Sequence, residues 1–510
     1  VSVTAQTADT PKAAPLLGPA LAAALVFGSS GSVLVIELVS LRLLAPYVGL
    51  TLEMSTAVIG VALAAIAIGA WLGGRAADVV SAQRLLGPLF LAGGALTLAI
   101  SPLVRGFGEW GGDDARSQVL ALAGIAIFAP AAVLSAISPV VVKLRLANLA
   151  ETGTVVGRLS GIGTLGGIAA TFGTGFVLIS LFSVTAILTG LGVVLLVSGV
   201  LLTVLLSRST APALTASLLV LGVCAGGATA VVPAACDVET RYHCARVVTD
   251  PHRVTGRILE LDTLRHSYVD LQDPTHLEFS YTQAIAAVLD TFRPPGTPIN
   301  ALHLGAGGLT IPRYLAHTRP DTTSLVAEID PGVLQLAHDK LGFTDNTHTG
   351  NGITTTIGDA RTITTNQPHN TYDTVIGDAF GSISVPWHLS TREFVQQIRR
   401  VLTPNGVYVL NVIDNPPLEF LAAELRTVAA VFDHVAVAAN PAALRGSDGG
   451  NYVLIASAQP LPEAALRERL AARSQPLKLA TESIGLRELM DDAPILTDDY
   501  APVDQLLTTS

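Results

Sequence analysis

Residues 372–381 read YDTVIGDAFG, in which a strand-forming run, Thr374, Val375 and Ile376, ends at Gly377 and meets a carboxylate, Asp378. A lone acid at the end of a buried strand is placed to hold an ammonium group and to accept a proton from it. Three other stretches have the same form, an apolar run closing on small or acidic residues: NALHLGAGGLT (300–310), SLVAEID (324–330) and ITTTIGDA (353–360). Gly305, Gly307 and Gly308 let backbone come close to a ligand and lead into a helix N-terminus. Glu328 and Asp330, about 20 residues further on, suit the hydroxyls of a ribose. Asp359, followed by Ala360, is placed to accept a hydrogen bond from an adenine amino group. Taken in order, these strand ends describe an adenosine-type site with an acid beside it. The turn is GxGG and lacks the full GxGxxG of a dinucleotide site, which favours a nucleoside such as S-adenosylmethionine. Asp373, at the other end of the same strand as Asp378, is expected to face a neighbouring loop.

The elements that must carry these residues alternate in type. The runs at 300–304, 324–329, 353–357, 373–378 and 407–413, then HVAVAA and NYVLIA, are strand-like. Helical stretches near 310–317, 331–341, 392–402 and 418–431 lie between them. Alternation of this kind marks a parallel sheet flanked by helices, with its ligand edge at the carboxyl ends of the strands. Before it, RYHCARVV, GRILELD and HSYVDL, separated by Asp-Pro turns at 250–251 and 273–274, predict a small β region.

The first half of the chain is of another kind. Half of the 510 residues are apolar and only 14% are charged, and the mean hydropathy is +0.53. The excess is concentrated before Pro233, in runs at about 16–44, 54–73, 85–104, 118–142, 159–181, 184–206 and 212–233. Each is long enough for a membrane-spanning helix, which needs about 20 apolar residues. Lys12, Arg75, Arg84, Lys143, Arg145, Arg158 and Arg208 fall on one side of such a bundle. Arg42, Arg105 and Arg116 fall on the other, beside Glu109, Asp113 and Asp114. The basic side is expected to be cytoplasmic, and seven spans then carry the second half outside. Cys236 and Cys244 agree, because they could bridge only in an oxidising compartment. Two unpaired thiols in a six- or eight-span protein are the alternative. Cys224, in an apolar run, is expected to be a small packing residue. Glu37 falls within the first span and is expected to pair with Arg42. The net charge of −10 argues against a nucleic-acid partner, and no cysteine or histidine spacing suits a metal.

At the glycine and acid motifs the second half resembles the spermidine synthase family, in its bacterial variety fused to a membrane domain. The similarity runs from about Thr240 to Gln505. A family Ser-x-Tyr-Gln pattern corresponds to Thr240-Arg241-Tyr242-His243, and a Leu-Asp-Gly-x-x-Gln turn to LDTLRH (261–266). The family's Asp-Glu-x-x-Tyr-x-Glu helix start corresponds to LEFSYTQ, with Glu278 and Tyr281 matching and Gln283 replacing an acid. The closing TDDYAPVD (497–504) is similar to the end of the fused proteins, and GGRAAD (73–78) looks like the loop motif of major facilitator transporters. The resemblance implies an all-α transmembrane bundle (16–233) after a disordered tail (1–15). A small β region (236–290) and a Rossmann-like, S-adenosylmethionine methyltransferase-type α/β domain (291–510) would follow.

It also implies a multi-pass cell-membrane aminopropyltransferase with no permanently bound cofactor. Decarboxylated S-adenosylmethionine would be its co-substrate and an amine such as a polyamine its acceptor. The lipid bilayer and a second copy of the chain are further expected partners. Asp378 would be the catalytic acceptor with Tyr281 positioning the amine. His243, His266, Glu278 and Gln283 would line the amine site, and GAGG, EID and GDA would bind the nucleoside. The family's second acid after this strand is here Gly381. A methyltransferase using intact S-adenosylmethionine, with His303 or Arg313 holding the methionine carboxylate, is one alternative. A polyamine transporter or sensor is another.

Overall fold

The computed structural model describes residues 17–49, 52–108, 115–146, 151–206, 212–344, 352–380, 385–475, 477–481 and 485–507. The tail 1–15, Gly381, Glu109, Asp113, Asp114, Arg208 and the Arg116 side chain lie outside the described residues. The chain divides into two compact units, Val1–Cys244 and Ala245–Ser510.

Among the described residues of the first unit, seven helices are long and apolar enough to cross a membrane: Pro19–Val48, Glu53–Val79, Ala82–Gly108, Ser117–Arg145, Thr152–Leu181, Val184–Leu206 and Pro212–Val231. A helix satisfies its own backbone hydrogen bonds, which is what a bilayer core demands of a spanning segment. The third and sixth helices meet through glycines spaced seven apart. A Cβ on Gly94 would lie 2.8 Å from the Gly192 carbonyl oxygen, and one on Gly199 would lie 2.7 Å from the Leu91 nitrogen. Small residues on matching stripes let the two backbones approach, the packing expected of helices in lipid. GGRAAD lies inside the second helix rather than in a loop. Its Asp78 meets Lys143 at 2.6 Å in an exposed pair.

Two sequence expectations change here. Among the described residues no ion pair joins Glu37 to Arg42, whose guanidinium instead donates to the Arg241 carbonyl. Cys224 is exposed on its helix rather than packed inward. After the last span, Cys236 and Cys244 form a disulfide with Cα atoms 5.3 Å apart. Glu239 accepts from the Thr185 hydroxyl at 2.6 Å and its backbone N–H at 3.1 Å, and pairs with Arg105 at 3.4 Å.

The second unit opens with an antiparallel meander, Cys244–Thr249 (whose first residue ends the first unit), Gly256–Leu261 and Leu264–Asp270. The helix Ser280–Phe292 follows and packs on the main sheet. The β region therefore ends before 290, and residues 236–244 group with the first unit. The main sheet comprises β1 (Asn300–Leu304), β2 (Thr323–Glu328), β3 (Ile353–Ile357), β4 (Tyr372–Gly377), β5 (Leu402–Asp414), β6 (His434–Ala439), β7 (Gly450–Ser457) and β8 (Lys478–Thr481). Their order is β8-β6-β7-β5-β4-β1-β2-β3. Strands β1 to β5 are parallel, as the alternating pattern predicts. The β7 strand is antiparallel to both neighbours, and β8 is antiparallel to β6, so the sheet is mixed. Only residues 440–449 join β6 to β7, and a parallel return needs a crossover of a dozen or more residues.

Alternate side chains on the central strands feed two layers. Val375, Tyr408, Leu410 and Val412 pack with the helices Arg392–Val401 and Glu419–Ala429. Ile376, Val407 and Val409 pack with Ser280–Phe292, Thr310–Thr318 and Glu463–Ala471. Burial on both faces explains the unbroken apolar runs of β4 and β5, and each large side chain buried contributes roughly 1.5–3 kcal/mol. The result is a three-layer Rossmann-like, methyltransferase-type domain.

Candidate active site

Strand order reverses between β1 and β4, and the crevice outside the carboxyl ends of two such strands is where open α/β sheets bind ligands. Leu304 is in register with Gly377, so Gly305 and Asp378 leave the sheet side by side. The Asp378 N–H donates to the Leu304 carbonyl at 2.9 Å, and the Gly305 N–H to the Ala327 carbonyl at 2.8 Å. Gly305 has φ 96°, and a Cβ there would lie 2.3 Å from the Asp378 carbonyl oxygen. Conformation and close approach both require glycine at this point. The turn then runs under the meander, where a Cβ on Gly308 would meet the Ser267 hydroxyl at 2.8 Å. The Thr310 hydroxyl, opening the next helix, donates to the Tyr268 carbonyl at 2.9 Å. Gly307 has φ 48° and faces Ser267.

Asp378 is half-buried. The Asn411 amide donates to its Oδ1 at 2.9 Å, and the Asn451 amide donates to the Asn411 carbonyl oxygen at 3.1 Å. The Tyr281 hydroxyl faces the Asp378 carboxylate and donates to the His266 carbonyl at 3.4 Å. Burial pushes the Asp378 carboxyl up to about 6, although Asn411 and Tyr281 favour its ionised form. Burial and the nearby Asp378 charge push the Tyr281 hydroxyl well above its usual range, so it stays a donor. Asn411 was missed by the sequence reading, although an amide inside the apolar run VYVLNVI was a visible signal. Asp373 lies at the other end of β4, holding Arg293 at 3.0 Å and the Asn300 N–H at 3.1 Å.

The acids of the nucleoside motifs are already engaged. Glu328 is buried and accepts from the Ala306 N–H and the Asp330 N–H, each at 2.8 Å, so it fastens the glycine turn to β2. Burial raises its carboxyl. Asp330 caps the helix Pro331–Lys340 by accepting from the Gly332 N–H at 2.9 Å. Asp359 caps the helix Ala360–Thr365 through the Thr362 N–H at 2.9 Å, and its Oδ2 meets His388 Nε2 at 2.8 Å. Burial acts to raise Asp359, but these two partners hold it below the usual carboxylate range. Ala360 is buried at the first position of that helix. His388 was also missed, because it sits in a segment without periodicity.

The remaining expected residues divide. His266 is half-buried on the meander strand beside Tyr281. Glu278 is half-buried and meets His276 Nε2 at 3.1 Å. Gln283 is buried, and its amide donates to the Leu277 carbonyl at 2.8 Å and accepts from the Ser474 hydroxyl at 3.0 Å. That geometry makes it a fastening for the start of its helix. His243 lies in the first unit, in a turn where its carbonyl accepts from the Thr240 N–H at 2.9 Å. His303 is buried beside the Ser324 hydroxyl at 3.2 Å, and burial drives its imidazole down to about 3. The Arg313 guanidinium lies over the Phe343 ring at 5.8 Å, and burial lowers it to about 10.

No protein-family model matches the chain. It is similar to the polyamine aminopropyltransferase of Vibrio vulnificus, 30% identical over 251 residues that make up 47% of this chain and 79% of that protein. It is similar to the polyamine aminopropyltransferase of Chromobacterium violaceum, 28% identical over 32% of this chain and 60% of that protein. Among solved structures it is similar to a probable spermidine synthase from Corynebacterium glutamicum, at 26% identity and a TM-score of 0.48, covering 52% of this chain and 97% of that one.

Proposed function

The chain belongs to the polyamine aminopropyltransferase family, and on that premise we propose that it is a membrane-bound enzyme moving an aminopropyl group from decarboxylated S-adenosylmethionine to an aliphatic amine such as putrescine. The observation that carries this reading is Asp378, a half-buried carboxyl at the strand switch point, bonded to Asn411, faced by the Tyr281 hydroxyl and raised to about 6.

In the reaction the amine nitrogen attacks the carbon next to the sulfonium. A nitrogen–carbon bond forms, the carbon–sulfur bond breaks, and 5′-methylthioadenosine leaves with the electron pair. The amine arrives protonated and must lose a proton to attack. Asp378 is ionised above pH 6, attracts the ammonium, and accepts the proton. Tyr281 and Asn411 hold the carboxylate in one orientation, so the nitrogen is presented in line with the leaving sulfur. The glycine turn, which Glu328 fastens to β2, forms the ribose side, and Asp359 with His388 forms the adenine side. His303 is engaged by the Ser324 hydroxyl, whereas Arg313 stacks over the Phe343 ring with its Nε and Nη2 buried and, among the described residues, unpartnered, so turnover with each donor distinguishes the decarboxylated from the intact nucleoside.

The test is turnover by the purified full-length chain. Decarboxylated S-adenosylmethionine with putrescine is expected to yield 5′-methylthioadenosine and spermidine. Release of S-adenosylhomocysteine from intact S-adenosylmethionine would instead establish a methyltransferase.

A further inference from the structure

The run TDDYAPVD near the end of the second unit has no role in the chemistry above, yet it is wired to the nucleoside side of the site. Arg361 donates through Nη1 and Nη2 to the two oxygens of Asp498, at 2.7 and 2.6 Å. Asp498 Oδ1 also accepts from the Thr391 hydroxyl at 2.8 Å. Arg361 stands two residues after Asp359, in the first turn of the helix that Asp359 caps. Its Nη1 further donates to the His388 carbonyl at 3.0 Å, and His388 returns to Asp359 through Nε2 at 2.8 Å. Three distant stretches, 359–361, 388–391 and Asp498, thus close into one ring.

The far side of the ring is anchored. The Asp498 N–H donates to Glu393 at 3.0 Å, the Arg392 N–H to the Leu496 carbonyl at 2.8 Å, and the Leu496 N–H to the Thr427 hydroxyl at 2.8 Å. The Arg361 and Asp498 side chains are 24% and 41% exposed. An ion pair that open to water contributes little to stability. A two-pronged guanidinium–carboxylate bond does, however, specify position. Among the described residues, the amine side, Asp378 with Tyr281 and Asn411, shares no hydrogen bond with this ring.

We propose that Asp498 is a positioning residue: through Arg361 and Thr391 it holds His388 against Asp359 and so sets the affinity of the site for the nucleoside half of the donor. This rests on the adenosyl donor proposed above. In the full-length chain, Asp498→Asn is expected to raise the dissociation constant for 5′-methylthioadenosine and the KM for the donor about tenfold, with the effect falling on those constants rather than on kcat or the KM for the amine. Arg361→Lys, which keeps the charge and loses the fork, is expected to give a smaller shift in the same direction and serves if Asp498→Asn does not fold. In a His388→Ala background Asp498→Asn is expected to add nothing, because the two act through one path.

Unchanged nucleoside affinity in a folded Asp498→Asn protein would overturn the proposal. So would equal rises in both KM values, or additive losses with His388→Ala. If the wild-type protein itself binds no adenosyl nucleoside, the functional reading fails and this role falls with it.

Discussion

On the proposed mechanism Asp378 concentrates the chemistry, because three influences meet on one carboxyl. Burial raises it to about 6, while Asn411 and Tyr281 pull the other way. With the ionised form as the proposed proton acceptor, kcat is expected to rise with pH through about 6 and then level, as a pH–rate profile would show. Asp378→Asn keeps the shape and removes the acceptor. It is expected to lower kcat by about 10²–10⁴-fold while leaving 5′-methylthioadenosine binding intact. Stability runs the opposite way. The folded-state value lies above the ordinary 3.8, so the protonated form is favoured on folding, and that contribution is lost as pH rises through about 6. Asp378→Asn is therefore expected to raise the Tm at pH 8, by the equivalent of about 1–2 kcal/mol, and to change it little at pH 4. Thermal denaturation at the two pH values checks this.

Elements set where these residues can stand. The ends of β1 and β4 touch at Gly305 and the Asp378 carbonyl. Gly305→Ala is expected to cost about 2–4 kcal/mol and to abolish nucleoside binding, measured by denaturant unfolding and calorimetry. The helix Glu419–Ala429 carries a second buried acid. Glu424 is fully buried, neither of its oxygens has a hydrogen-bond partner, and the Ser390 hydroxyl approaches without satisfying them. Burial raises its carboxyl well above the usual range, so its neutral form is the stable one and stability falls as pH rises toward that value. Glu424→Leu is expected to stabilise by about 1–3 kcal/mol, most clearly at alkaline pH. At this scale the sequence was readable where patterns were local. The strands β1 to β5 and the helices between them follow from apolar runs and caps. The antiparallel edge and β8 were not readable, because a strand's direction depends on the length of its connection and on which neighbour has an open edge.

At the scale of the whole molecule, the two units follow different rules of composition. The helical unit meets the length requirement of a bilayer seven times among its described residues. The second unit folds around a sheet buried on both faces. The Cys236–Cys244 disulfide closes the end of the first unit. With the basic loops cytoplasmic, we expect this disulfide and the enzyme domain outside the cytoplasm. In intact cells a membrane-impermeant maleimide is then expected to label the pair only after a reductant is added. Labelling that needs permeabilised membranes would place the connector on the inner side.

The sequence by itself determined the two-part architecture, the alternation of strands and helices, and the order of glycine turn, acids and Asp378 along the sheet edge. These are consequences of periodicity and local turn chemistry, which neighbouring residues carry among themselves. Only the tertiary structure decided which carboxylates are engaged by the fold, as Glu328 and Asp330 are, and which stands at the crevice, as Asp378 does. It also brought Asn411 to Asp378, His388 to Asp359 and Asp498 to Arg361. Those partners come from β5, from an irregular segment and from the far end of the second unit, and their meeting depends on strand order and loop packing, which no local pattern encodes.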